Sequence, residues 1–175
     1  RPIRYRLGRA VLDLVWGHIR RSQNQRAAEA VERLSREFPA GTVTFCRAIG
    51  GEVMTVFRMS PERPGLMETP TDRRMSPYVS ASSLVFQAYW TAEERNAFRL
   101  RYPFVEHGAH FWKEMAALDA FLAEVRRTGA AVLRAASRGI CPVAVPVFDA
   151  DNVLQGTLGM SISASPDDEE LVAPM

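Results

Sequence analysis

The hydrophobic positions of this chain change period several times, and each change marks an element. Leu7, Val11, Leu14 and Val15 form one stripe at helical spacing, and Leu12, Trp16 and Ile19 form another. This predicts a helix over 7–19 that is apolar on nearly every side. Such a helix is buried from more than one direction, so it is expected to meet a second domain or subunit. A second helix opens at Ser22-Gln23-Asn24-Gln25, which suits an N-cap, and carries the stripe Ala27, Val31, Leu34 and Phe38. Glu29–Arg33 and Glu32–Arg36 are spaced as helical pairs with the acid first, the favourable order. Pro39-Ala40-Gly41 ends it. The period then falls to two: Thr42–Ile49 alternates as a strand, Gly50-Gly51 is a tight hairpin turn, and Glu52–Met59 returns.

Four prolines, Pro61, Pro64, Pro70 and Pro77, make the next stretch a loop with a short edge strand around Leu66–Thr69. A loop this long is usually functional or mobile. Short helices are predicted over 84–90 and 92–101. A longer one spans 113–127 with the stripe Met115, Leu118, Leu122 and Val125 joined by Phe121, and Gly129 stops it. Ala130–Leu133 reads as a strand. The apolar runs Val143–Phe148 and Val153–Ile162 flank Asp149-Ala150-Asp151-Asn152, whose residues tolerate left-handed backbone and close turns with their side chains, so a β-hairpin is expected. Val143, Val145 and Val147 share one face, and Ala144, Pro146 and Phe148 the other, so this strand is expected to be covered on both sides. Pro166-Asp167-Asp168-Glu169-Glu170 opens a last helix with acids in its first turn, cut short at Met175. Strands joined by hairpins favour antiparallel pairing, so the expected fold class is α/β (α+β) with a mainly antiparallel sheet flanked by helices.

Composition narrows the function classes. The 175 residues suit one compact domain with a sizeable core, and 47% apolar with 24% charged residues is the balance of a globular protein. A net charge of +2 is too small to point to nucleic acid or an anionic membrane as partner. Two cysteines, Cys46 and Cys141, form no disulfide framework and suit a reducing compartment, so a cytoplasmic location is expected. No apolar run reaches the roughly 18–20 residues that span a bilayer. The chain begins at Arg1 without an initiator Met and is expected to be a piece of something longer. No phosphate-binding glycine loop, dinucleotide fingerprint or nucleophile elbow occurs, and no cofactor is expected.

Three groups invite chemistry. Ser161 and Ser163 point to the same side of the last strand, as a polar anchor at the end of a pocket or as a strand end meeting solvent. Ser80-Ala81-Ser82-Ser83 opens a helix, where amides and hydroxyls either hold a small anion or simply cap. His107 and His110 sit beside Glu106 at His-x-x-His spacing, but in a glycine-containing loop with no cysteine close by, and no metal site is expected.

The residues Gly139-Ile140-x-x-Val143-Ala144-x-Pro146-Val147-Phe148-Asp149, followed by a hairpin and Ser161-x-Ser163, resemble the C-terminal effector-binding domain of IclR-type bacterial transcriptional regulators. The resemblance extends to Tyr5-Arg6-Leu7-Gly8 before the first helix, to Arg73-Arg74 and to Glu93-Glu94-Arg95. Where the family has a glycine, a proline and a second glycine, this chain has Asp72, Ser76 and Ser83, and it lacks the family's acidic segment at 133–138. The resemblance implies a GAF-like fold with about six strands. It implies that 1–21 is the end of a winged-helix region and a linker helix, and that 22–175 is the effector-binding domain with a truncated C-terminal helix. It also implies a small-molecule effector, a homodimer or homotetramer, DNA contact only through a missing N-terminal domain, and no membrane partner.

The implied effector site comprises Met75, Ser80, Ala81, Ser82, Ser83, Leu133, Ile140, Cys141, Pro142, Ser161 and Ser163. Family members that bind small carboxylates carry an acid near Leu133 and a cysteine near Pro142. Here the acid is absent and the cysteine stands one position earlier, at Cys141, so the expected effector is an aromatic or medium-chain carboxylate. Two other readings compete: a free-standing GAF-like interaction module, and an enzyme using Cys46 or Cys141 with His107 or His110. The enzyme reading lacks any feature that brings a base to either thiol, and none is expected to be catalytic.

Overall fold

The computed structural model describes residues 24–71, 73–133 and 139–163. The expectations for 1–21, for Asp72 and for the final helix lie outside the described residues.

Helix α1 (24–37) presents Ala27, Val31 and Leu34 to the sheet, as the stripe predicts. Of its two expected ion pairs, Glu32–Arg36 forms at 3.4 Å, while Glu29 accepts a hydrogen bond from Gln25 instead. Strands β1 (Thr42–Ile49) and β2 (Glu52–Met59) form the first hairpin, closed by Gly50 and Gly51 at φ 61° and 78°. Strands β3 (Ala131–Val132), β4 (Ile140–Phe148) and β5 (Leu154–Ser163) complete an antiparallel sheet of order β2-β1-β5-β4-β3. The β4–β5 turn closes as anticipated: Asp149 Oδ1 accepts from the amides of Asp151 and Val153, and Asn152 is left-handed at φ 60°.

Three expectations need correction. Among the described residues five strands form, against the expected six or so. Beyond β2 only isolated bridges occur, Arg58 to Glu68 and Met54 to Arg74, because a segment broken by proline cannot sustain a ladder. Strand β4 lies inside the sheet but is not covered on both faces: Val145 and Phe148 are each 38% exposed. His107 and His110 lie not in a loop but on two single-turn helices, α4 (Phe104–His107) and α5 (Ala109–Trp112). Gly108 divides them, at a point where a Cβ would lie 2.6 Å from the Phe104 ring and 3.0 Å from Tyr78.

The second face of the sheet is covered by α2 (Ala81–Tyr89) and α6 (Met115–Thr128). Leu118, Leu122 and Val125 of α6 pack with Leu84, Val85 and Ala88 of α2 on Ala131 and Ala144. Helix α3 (Ala92–Arg101) begins with a complete capping box between Thr91 and Glu94. Gly129 at φ 77° ends α6.

Candidate functional site

Strand alternation sorts β1 and β5 into two kinds of side chain. Val43, Phe45, Leu158 and Met160 turn to α1, and Thr44, Cys46, Thr157 and Gly159 turn to α2. On the α2 side, Cys46 pairs with Thr157 of β5 and Thr55 of β2, and Thr44 pairs with Gly159. Gly159 is what lets α2 come down onto the sheet. A Cβ there would lie 3.1 Å from Thr44 Oγ1 and 3.2 Å from Ser82 Oγ. Three strands and the first turn of α2 thus bring five small polar side chains together.

Burial pushes the pKa of the Cys46 thiol up, and the hydroxyls of Ser82, Thr55, Thr44 and Thr157 around it offset only part of that. The thiol therefore stays protonated at neutral pH and is no nucleophile. Thr55 Oγ1 lies 3.9 Å from its sulfur and donates to Met75 Sδ at 3.2 Å. Thr157 also faces the thiol, yet its Oγ1 has no hydrogen-bond partner of normal geometry.

The start of α2 is pinned from outside. Gln87 Nε2 donates to the Pro77 carbonyl at 2.7 Å, Trp112 Nε1 to the Tyr78 carbonyl at 2.7 Å, and Tyr78 Oη to the Tyr102 carbonyl at 2.6 Å. The chain thus enters α2 on a fixed path, with Ser80 at the N-cap in extended backbone. Ser80 does not cap: its side chain makes no bond to the helix, and its buried Oγ has no partner. Ser83, one turn on, is fully buried and its Oγ is likewise unpartnered. No acidic side chain stands in this first turn. The first turn of α2 thus combines two orphan hydroxyls with the positive end of the helix dipole.

The expected site residues divide. Ser80, Ala81, Ser82 and Ser83 are buried together at the α2 start, and Met75 packs beside Cys46, Val53 and Phe86. Ser161 follows Thr157 and Gly159 at period two and so shares the α2 face, opposite Pro142 in the β4–β5 register. Ile140 is on that face too but is exposed, and Leu133 packs with the α2–α6 core. The Ser163 backbone pairs with Ile140. Cys141 stands apart: the strand's alternation puts it with Val143 and Val147, facing away from Ser82. Thr44, Thr55 and Thr157 were not anticipated. Their signal is the small or hydroxyl residue at every second position of β1 and β5, between the bulky apolar ones. Elsewhere, His107 stacks edge-on against Tyr102 and His110 against Phe111, and among the described residues no three metal-ligating side chains converge.

The family model for the C-terminal domain of the bacterial transcriptional regulator IclR matches residues 20–170. The chain belongs to the IclR family. IclR-type domains are parts of transcriptional regulators rather than enzymes, and this chain is an effector-binding regulatory domain of that kind. Solved structures of the same fold include the C-terminal domain of E. coli KdgR, with 21% identity and TM-score 0.62 over 79% of this chain and 80% of that one. Pseudomonas aeruginosa HmgR shows 18% identity and TM-score 0.64 over 95% of this chain and 68% of its own. A double mutant of the PobR inducer-binding domain from Acinetobacter, in complex with 3-hydroxybenzoic acid, shows 16% identity and TM-score 0.59 over 84% and 89%. At these identities the likeness is one of fold. No curated protein matches the chain.

Proposed function

We propose that this IclR-type domain senses a carboxylate effector, whose anionic group is received by the first turn of α2. The observation that carries this reading is the pair of buried, unpartnered hydroxyls on Ser80 and Ser83 at an uncapped helix start. A buried polar group without a partner costs stability, and a bound carboxylate removes that cost. Ser82, Thr44 and Ser161 supply further donors, while Met75, Leu133 and Pro142 supply apolar surroundings suited to an aromatic or medium-chain body. The PobR domain's complex with an aromatic acid supports the same class of ligand. Because Ser82 rests against Gly159, an occupant lifts the α2 start from the sheet, which gives binding a mechanical output. In the full regulator that output reaches a winged-helix domain through the segment 1–21, within a homodimer or homotetramer.

Calorimetry against aromatic and medium-chain carboxylates and their amides tests this. A hydrogen bond to a charged group contributes about 1.5–3 kcal/mol, so Ser80→Ala and Ser161→Ala should each weaken binding roughly ten- to a hundredfold. Ser80→Ala should leave the melting temperature of the free domain unchanged or raised. Amides binding as tightly as acids, or both variants retaining full affinity, would sink the proposal.

A further inference from the structure

The facing stripes of α3 and α6 meet at a surface cleft apart from the α2 start, and only Leu122 of them also belongs to the core. On α3, Ala92, Arg95, Asn96 and Arg99 recur at helical spacing, and on α6, Asp119, Leu122, Ala123 and Arg126 do the same. Packed helices normally present apolar residues at such positions. Here the two stripes line a cleft of about 280 Å³, with buried Leu122 at its base and the small Ala92 and Ala123 leaving it open.

The charge in the cleft is unbalanced. Three guanidiniums meet one carboxylate, leaving an excess of two positive charges. Arg99 uses that carboxylate, with Nη2 2.5 Å from Asp119 Oδ1, while its own Nε is buried without an acceptor. Arg126 donates from Nε to the Ala88 carbonyl at the end of α2 and meets no carboxylate among the described residues. The Arg95 guanidinium has neither an ion pair nor a hydrogen bond among the described residues. Two unneutralised guanidiniums in one concave site repel each other until an anion joins them.

We infer that this cleft binds a small phosphorylated molecule, with Arg95 and Arg126 gripping the phosphate and the Asn96 amide assisting. A phosphate monoester carries about −1.5 to −2 charges at neutral pH, which matches the excess, whereas one carboxylate neutralises only half of it. Its oxygens also accept the paired N–H groups of a guanidinium fork. The volume lies at the lower edge of small-molecule pockets, so the organic body is compact, about the size of a sugar phosphate.

The test is calorimetry on the 175-residue chain with ribose 5-phosphate, using ribose, sulfate and a short duplex DNA at matched ionic strength as comparisons. Saturable one-to-one binding of ribose 5-phosphate is expected, with no heat from ribose. Arg95→Ala should weaken it about tenfold or more without lowering the melting temperature, and Arg95→Lys should restore part of the loss. Ser80→Ala, in the separate α2 site, should leave it unchanged. Arg126→Ala also frees the Ala88 carbonyl, so Arg95 is the decisive position. Absence of saturable binding, equal affinity in Arg95→Ala, or sulfate or DNA binding as tightly as the sugar phosphate would each overturn the assignment.

Discussion

The two faces of one sheet do different work with neighbouring residues of the same strands. Toward α1, Val31, Val43, Phe45 and Met59 pack with Leu158 and Met160. Toward α2, the same stretches of β1 and β5 offer Thr44, Cys46, Thr157 and Gly159. Burial of the first set stabilises without regard to direction. Burial of the second set stabilises only where each hydroxyl finds a partner, and Thr157, Ser80 and Ser83 have none. Both faces therefore hold the fold through apolar packing, the second through the α2–α6 core, but the α2 face also carries hydroxyls that await something else. The difference rests on strand period alone, since one residue's step along β1 moves a side chain from one role to the other.

The largest effect should come from the apolar face. Phe45 is buried and stacks on Phe57 with ring centroids 6.3 Å apart. Phe45→Ala should cost about 3–5 kcal/mol, read as a lower urea midpoint with the slope unchanged. Effector affinity measured on the folded fraction should not move. A changed affinity in a folded Phe45→Ala domain would break the separation between the faces.

The apolar stripes on both faces were also the legible part. The α1 stripe, the β1–β2 hairpin and the α6 stripe follow from local periods, which a sequence displays directly. The start of α2 was legible as a run of small residues, and its role as a site came from a family resemblance. The hydroxyl cluster was not legible, because Thr44, Thr55 and Thr157 meet only through a register spanning more than a hundred residues of chain. Cys141 was misjudged for a related reason: displacing a cysteine by one position in a strand sends it to the opposite face. For β4, apolar residues on both sides suggested two covers, but the outward Val145 remains partly exposed.

The polar face can be probed with a substitution of opposite sign. Thr157 is fully buried and its Oγ1 is unpartnered, so Thr157→Val replaces a stranded hydroxyl by a methyl of similar shape. Removing that penalty should stabilise the free domain by about 1–2 kcal/mol. If the hydroxyl serves the effector, affinity should fall in the same variant. A gain in stability with affinity untouched would confine the site to α2, and a loss of stability would mean that Thr157 is satisfied after all.

The smallest effect concerns Cys46 and pH. Its thiol is held above the ordinary value of a free thiol by burial in the folded state. Below that value the thiol is protonated both folded and unfolded, and the group contributes no pH dependence. Above it the unfolded thiol ionises while the buried one does not, so the unfolded state is favoured and stability falls as pH rises toward the folded pKa. At pH 9.5 the loss should be about 1 kcal/mol. Other alkaline groups titrate in the same range, so the useful quantity is a difference. Urea midpoints of the wild type and Cys46→Ala, taken at pH 8 and pH 9.5, should converge, because only the wild type carries the buried thiol. Cys141, half-buried, is common to both proteins and cancels. Parallel slopes would mean that water reaches Cys46 and that the α2 face is open rather than sealed.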